Sequence, residues 1–157
     1  MNHVSQDLHD TCFLACLQSF LEDQGVNLDQ REQVEKYPDV FDSQGAVRPC
    51  DIQGYLDQEF SGVVTMSDPF VEENEKIIHY SCDKNQTVFL GLEKDGEPSH
   101  YVRAINFGSD GLPLEIMDPT AVQMNSFVYY PDWEITTASL LEYHSIDDSA
   151  HQSTTAP

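Results

Sequence analysis

Beyond Asn85 the hydrophobic pattern of this chain changes its period. Before that point apolar residues recur at three- and four-residue intervals, as the buried stripe of a helix does. After it come short runs rich in β-branched and aromatic residues, cut by turn sequences. A pattern of helical period does not settle into a strand, nor the reverse, so the chain is confined to helices first and strands afterwards. That order predicts an α+β domain, with N-terminal helices packed on a C-terminal antiparallel sheet. At 157 residues the chain is of ordinary single-domain size. One domain is expected over residues 1–145, with residues 146–157, small and polar, as a flexible tail.

The first helix is the clearest. From Cys12, the residues Phe13, Leu14, Leu17, Phe20 and Leu21 mark one face, Asp10 or Thr11 is placed to cap the start, and Gly25 to end it. A shorter helix follows with Asn27 or Asp29 as cap and stops before Tyr37-Pro38. The segment PCDIQGYLDQEF has Pro49 in its first turn and Ile52, Leu56 and Phe60 along one side, which predicts about three turns. Asp68, Pro69, Glu72 and Glu73 predict a further helix carrying Ile77, Ile78 and Tyr80, and Glu72-Glu73-Asn74-Glu75 reads as its solvated start. The predicted strands are TVFLGLE, HYVRAINF, LPLEIMD and SFVYY, separated by KDGEPS, GSDG and PTAVQMN. A last short helix is expected over residues 136–143.

Charge narrows the partners. Seven Lys plus Arg stand against 28 Asp plus Glu, a formal net charge of −21. Such a field repels nucleic acid and anionic membrane surfaces and favours a partner with a basic surface. No apolar run approaches the roughly 20 residues of a membrane span, and the N-terminal MNHVSQDLHD has neither the basic nor the apolar region of a signal peptide. A cytoplasmic protein is expected, or an effector secreted without a classical signal peptide. The four cysteines, Cys12, Cys16, Cys50 and Cys82, contain no CxxC spacing and no paired histidines accompany them, so neither a disulfide framework nor a structural metal is expected.

Cys12 falls at the start of a helix, where unpaired N–H groups and the positive end of the dipole favour the thiolate, the nucleophilic form. A loop centred on Gly108, Ser109 and Asp110 would join two antiparallel strands. In the simplest register Phe107 faces Gly111 and His100 faces Asp118, close enough for the carboxylate to orient the imidazole. Shifts of one or two residues are open, because a bulge at Gly108 or Gly111 is easily accommodated. Gln6, upstream of the thiol, offers a side-chain amide that with the Cys12 N–H makes two donors for an oxyanion.

The combination of Gln6…Cys12 heading a helix, His100-Tyr101-Val102 opening a strand and Ile116-Met117-Asp118-Pro119 closing the next resembles the papain-like cysteine peptidases of the double-glycine leader peptidase family, which trim bacteriocin precursors. The resemblance spans residues 4–145. It implies a papain-like fold, no cofactor, Cys12 as nucleophile, His100 as general base and acid, Asp118 as its orienting partner and Gln6 as oxyanion donor. The chain departs from the family at Asp10-Thr11-Cys12-Phe13, where the family has Asp-Cys-Gly, and a free-standing relative without the family's usual export transporter is expected. The function expected on this basis is thiol-dependent hydrolysis of a peptide bond in a protein or peptide. The alternatives are a glutamine deamidase of the effector type with the same triad, or an inactive papain-fold binding protein. Cys16 is expected in the core, Cys50 and Cys82 buried or idle, His3 and His9 outside the chemistry, and Trp133 in packing. The cleft walls are expected from loops around 40–48, 66–70 and 120–128.

Overall fold

The structure, a computed structural model, describes residues 3–67, 85–94, 97–107, 113–121, 124–126 and 132–144. It is α+β. Helices α1 (Cys12–Asp23), α2 (Gln30–Lys36) and α3 (Pro49–Phe60) precede a six-stranded sheet of β1 (Val64–Met66), β2 (Gln86–Lys94), β3 (Glu97–Phe107), β4 (Pro113–Met117), β5 (Asn125–Ser126) and β6 (Glu134–Tyr143). The spatial order is β1-β6-β2-β3-β4-β5, with every pairing antiparallel.

The helices follow their local signals. Asp29 caps α2, its carboxylate accepting from the Glu32 N–H at 3.0 Å. Pro49 opens α3, where its missing N–H costs nothing. Gly25 lies just beyond α1 with φ +79°, a left-handed turn that glycine adopts without strain. The start of α1 differs from expectation. Thr11 occupies the cap position but makes no side-chain cap bond, and Asp10 is not the cap. The Thr11 hydroxyl instead closes the preceding turn, accepting from Leu8 N–H at 3.0 Å and donating to Leu8 O at 3.2 Å. The first N–H groups of α1 therefore stay uncapped by that side chain.

Strand alternation builds two cores. Phe89 and Met117 face α1 and join Phe13, Leu14, Leu17, Phe20 and Leu21, while Val88, Leu90, Leu92, Val102, Ala104, Ile116 and Ala138 pack on the opposite face. Each fully buried leucine or phenylalanine contributes on the order of 2 kcal/mol. A buried cation fixes α1 on the sheet. Arg103 of β3, its side chain 3% exposed, donates to Thr87 Oγ1 at 2.7 Å, to Ser19 Oγ at 2.9 Å and to Asp23 Oδ2 at 2.7 Å. Ser19 and Asp23 lie on α1, so the helix that begins with Cys12 is held at its far end by a charge-assisted bond.

Three expectations are corrected. Residues 136–143 are not a helix but most of β6, which pairs with β1 on one side and β2 on the other. The Ala-Ser-Leu-Leu-Glu stretch suits a helix locally, but burial between two strands decides the outcome. The strand β1 was not expected; three residues give too short a pattern to read. Finally, the hairpin of β3 and β4 is shifted: Arg103 faces Met117 and Ala104 faces Ile116, with irregularities flanking Asn106. Asp118 thus continues the register opposite Val102 rather than His100. A shift of two residues keeps every side chain on its own face of the sheet. The expected helix over residues 68–80 with its acidic start, the later part of SFVYY, Cys82 and the tail lie outside the described residues. Among the described residues no helix is long and apolar enough to cross a membrane.

Candidate active site

His100 and Asp118 meet despite the shifted register. Residue 118 lies just past the end of β4, and its carboxylate reaches diagonally back, so that His100 Nε2 and Asp118 Oδ1 are 2.6 Å apart. The side chains are 15% and 5% exposed, so water screens the pair little. Asp118 is held further along its length. Its Oδ1 also accepts from Thr120 N–H at 2.9 Å and Thr120 Oγ1–H at 2.8 Å. Its backbone carbonyl accepts from His3 Nε2 at 2.8 Å.

Cys12 stands at the first position of α1 and is partly exposed. Its thiol interacts with the His100 ring. Burial works against a charged ring, but the bonds to Asp118 and Cys12 outweigh it and push His100 from 6.5 to about 9. With Nε2 occupied by Asp118, Nδ1 is the nitrogen left for the thiol. Tyr101, next in β3, packs edge-on against Phe13 at 5.7 Å between ring centroids. Burial and the nearby Cys12 and Cys16 thiols push its phenol up to about 12, so it stays protonated beside the site. Cys16 is fully buried, donates to Tyr101 O at 3.6 Å, and has its thiol pushed up by that burial; it belongs to the core as expected.

Gln6 reaches the same place by its backbone. Its N–H donates to Pro119 O at 3.1 Å, which ties it to the turn carrying Asp118. Its side-chain Nε2 donates to the His9 carbonyl. An amide carries two N–H groups, so one remains beyond that bond. Gln6 Oε1 is buried and has no hydrogen-bond partner among the described residues.

The loop from Asp42 to Val47 supports the start of α1. Asp10 N–H donates to Gln44 O at 2.9 Å, and Gly45, with φ +88°, lies against the Thr11 side chain. A methyl group added there would overlap the Thr11 methyl, in a backbone conformation that also disfavours it. Gly45→Ala is expected to destabilise the protein by about 1–3 kcal/mol, as overpacking does, read as a lower denaturant midpoint with unchanged slope.

The remaining sequence expectations resolve simply. The His9 side chain pairs with Asp10 at 2.9 Å on the surface, and only its backbone carbonyl meets Gln6. His3 contacts only the backbone of the candidate acid, its Nε2 lying 2.8 Å from the Asp118 carbonyl. Cys50 is exposed rather than buried. Trp133 packs in the second core, and its ring lies 6.0 Å from that of His100. Thr120, His3 and Tyr101 were missed as supporting residues; only Tyr101 had a signal, its place beside His100. Among the described residues no group of three or more His, Cys, Asp or Glu side chains is placed to hold a metal ion.

Taken together, these groups form a candidate thiol–imidazole–carboxylate site at a helix start on an α+β scaffold, with Gln6 tied through its backbone N–H to the turn that carries the acid. No family model matches the chain, and no curated protein matches it.

Proposed function

We propose that the chain is a papain-like thiol hydrolase that cleaves a peptide bond of a protein or peptide through a thioester on Cys12. The observation that most supports this reading is the little-exposed His100–Asp118 pair, 2.6 Å apart, with the Cys12 thiol near enough to raise the titration of the ring. Proton transfer from thiol to ring gives a thiolate and an imidazolium, which the Asp118 carboxylate stabilises. The sulfur attacks the carbonyl carbon, and the negative oxygen is received by the Cys12 N–H and the second N–H of Gln6. Collapse breaks the C–N bond while His100 gives its proton to the leaving amine, which leaves an acyl thioester. Water, deprotonated by His100, then hydrolyses the thioester and restores the thiol. No cofactor enters these steps. The same steps on a glutamine side chain would release ammonia.

The −21 charge gives the substrate its expected character, a basic surface, and argues against nucleic acid and anionic membranes as partners. The test uses the protein and its Cys12→Ser form in cell lysate at low and moderate salt. New peptide termini that need Cys12 and diminish as salt rises are expected. Cys12-dependent conversion of glutamine to glutamate without new termini would transfer the reading to deamidation. No Cys12-dependent change of either kind counts against an enzyme.

A further inference from the structure

Gln6 owes its place to a second glutamine. Gln30, the first residue of α2, is 1% exposed, and its side-chain amide brackets Gln6 along the backbone. Gln30 Nε2 donates to the carbonyl of Ser5 at 2.9 Å, and Gln30 Oε1 accepts the N–H of Asp7 at 2.9 Å. The second N–H of Gln30 goes to Gln18 Oε1 on α1 at 2.9 Å. One buried amide therefore grips the residues before and after Gln6 and fastens them to the helix that carries Cys12. Val4 sinks into the core just upstream, and Gln6 N–H is bound to Pro119 O at 3.1 Å. A segment with no helix or strand of its own is thus held at every residue from 4 to 7.

Burial of apolar residues, as at Val4, already anchors this segment, so the Gln30 amide is not needed for attachment alone. What it adds is direction. The two bonds fix the peptide planes on either side of Gln6, and with them the direction in which its side chain leaves the backbone. We infer that Gln30 is a positioning residue for the oxyanion donor Gln6, acting through Gln6 and touching no reacting atom. This rests on the thioester reading given above.

Two reagents separate this role from simple stability, and neither requires the natural substrate. Iodoacetamide alkylates the Cys12 sulfur by displacing iodide and forms no oxyanion. p-Nitrophenyl acetate acylates it: the sulfur attacks the ester carbonyl, a tetrahedral oxyanion forms, the C–O bond breaks and nitrophenolate leaves. Removing one oxyanion donor outright typically costs on the order of 10²–10³ in rate, and displacing one by about 1 Å costs up to roughly 10². Gln30→Met is therefore expected to slow acylation of Cys12 by about 10- to 100-fold and to leave its alkylation unchanged. Gln30→Glu, which keeps the acceptor for Asp7 and the size of the side chain, is expected to shift acylation in the same direction if the methionine form does not fold. In a Gln6→Ala background neither substitution should cost anything further, because the group through which Gln30 acts is gone. Equal losses with both reagents, wild-type acylation in both Gln30 variants, or a full additional loss on top of Gln6→Ala would each overturn the inference. A wild-type Cys12 no more reactive than Cys50 with either reagent would overturn the thioester reading itself, and this one with it.

Discussion

Iodoacetamide is expected to label Cys12 at pH 6 at least about tenfold faster than the exposed Cys50, and His100→Ala is expected to remove that advantage. At pH 6 a thiol of ordinary acidity is ionised to only about one part in 300. The thiolate–imidazolium pair that the proposed mechanism requires would present far more of the reactive anion. Part of that gain is returned because a more stable thiolate is intrinsically a weaker nucleophile. The remainder is the expected ratio. The dependence on His100 follows from the proposed mechanism, in which its ring takes the thiol proton and pairs with the resulting thiolate. Peptide mapping after timed labelling reads each cysteine separately. Equal rates for Cys12 and Cys50, or a Cys12 rate insensitive to His100→Ala, would leave no place for a thiolate–imidazolium pair.

Asp118→Asn is expected to lower turnover by about 10²-fold, the lower end of what a positioned acid or base contributes, and to move the alkaline limb of the pH profile down. The substitution is nearly isosteric, and an asparagine oxygen still accepts from the Thr120 N–H and hydroxyl that now bind Asp118 Oδ1. What disappears is the negative charge that holds the ring protonated. In the native protein the imidazolium survives to about pH 9. Without the carboxylate, burial acts with less opposition and its titration falls toward the ordinary 6.5. Stability changes with it. Because the folded value lies above the unfolded one, the stabilisation from this proton is complete below pH 6.5 and is lost as pH rises through about 9. The interval corresponds to about 3 kcal/mol. Denaturant midpoints should therefore fall between those two pH values in the native protein and stay flatter in Asp118→Asn. NMR of the imidazole resonances would read the ring directly, and an unchanged titration in the variant would remove Asp118 from its assigned role.

The sequence made the elements legible where a local device marks their ends. Pro49 and the spacing of Ile52 and Leu56 give α3 its full extent, and Asp29 gives the start of α2. The spacing of Cys12, His100 and Asp118 along the chain placed them on a helix start, a strand and a strand end, and the structure brings the three together. The register differs from the simplest one because irregularities flank Asn106, within β3, where the sequence carries no bulge signal; the turn glycines lie outside the described residues. The strand β6 escaped because its Leu-Leu-Glu-Tyr end carries helical preference, and only its neighbours on both sides make it a strand. Gln30 and His3 escaped for a different reason. A polar side chain that acts across 25 or 115 residues leaves no periodicity. Such residues are found only once backbone groups have been paired off.

The position of β6 between β1 and β2 has a consequence for how the molecule comes into being. Synthesis delivers this strand after every other one described, yet two of the earlier strands hydrogen-bond to it rather than to each other. Until residues 134–143 emerge, β1 and the free edge of β2 present unsaturated backbone to any passing extended peptide. Helix α1 packs on the sheet that this late arrival completes, so the nascent chain cannot assemble the candidate site much before residues 134–143 emerge.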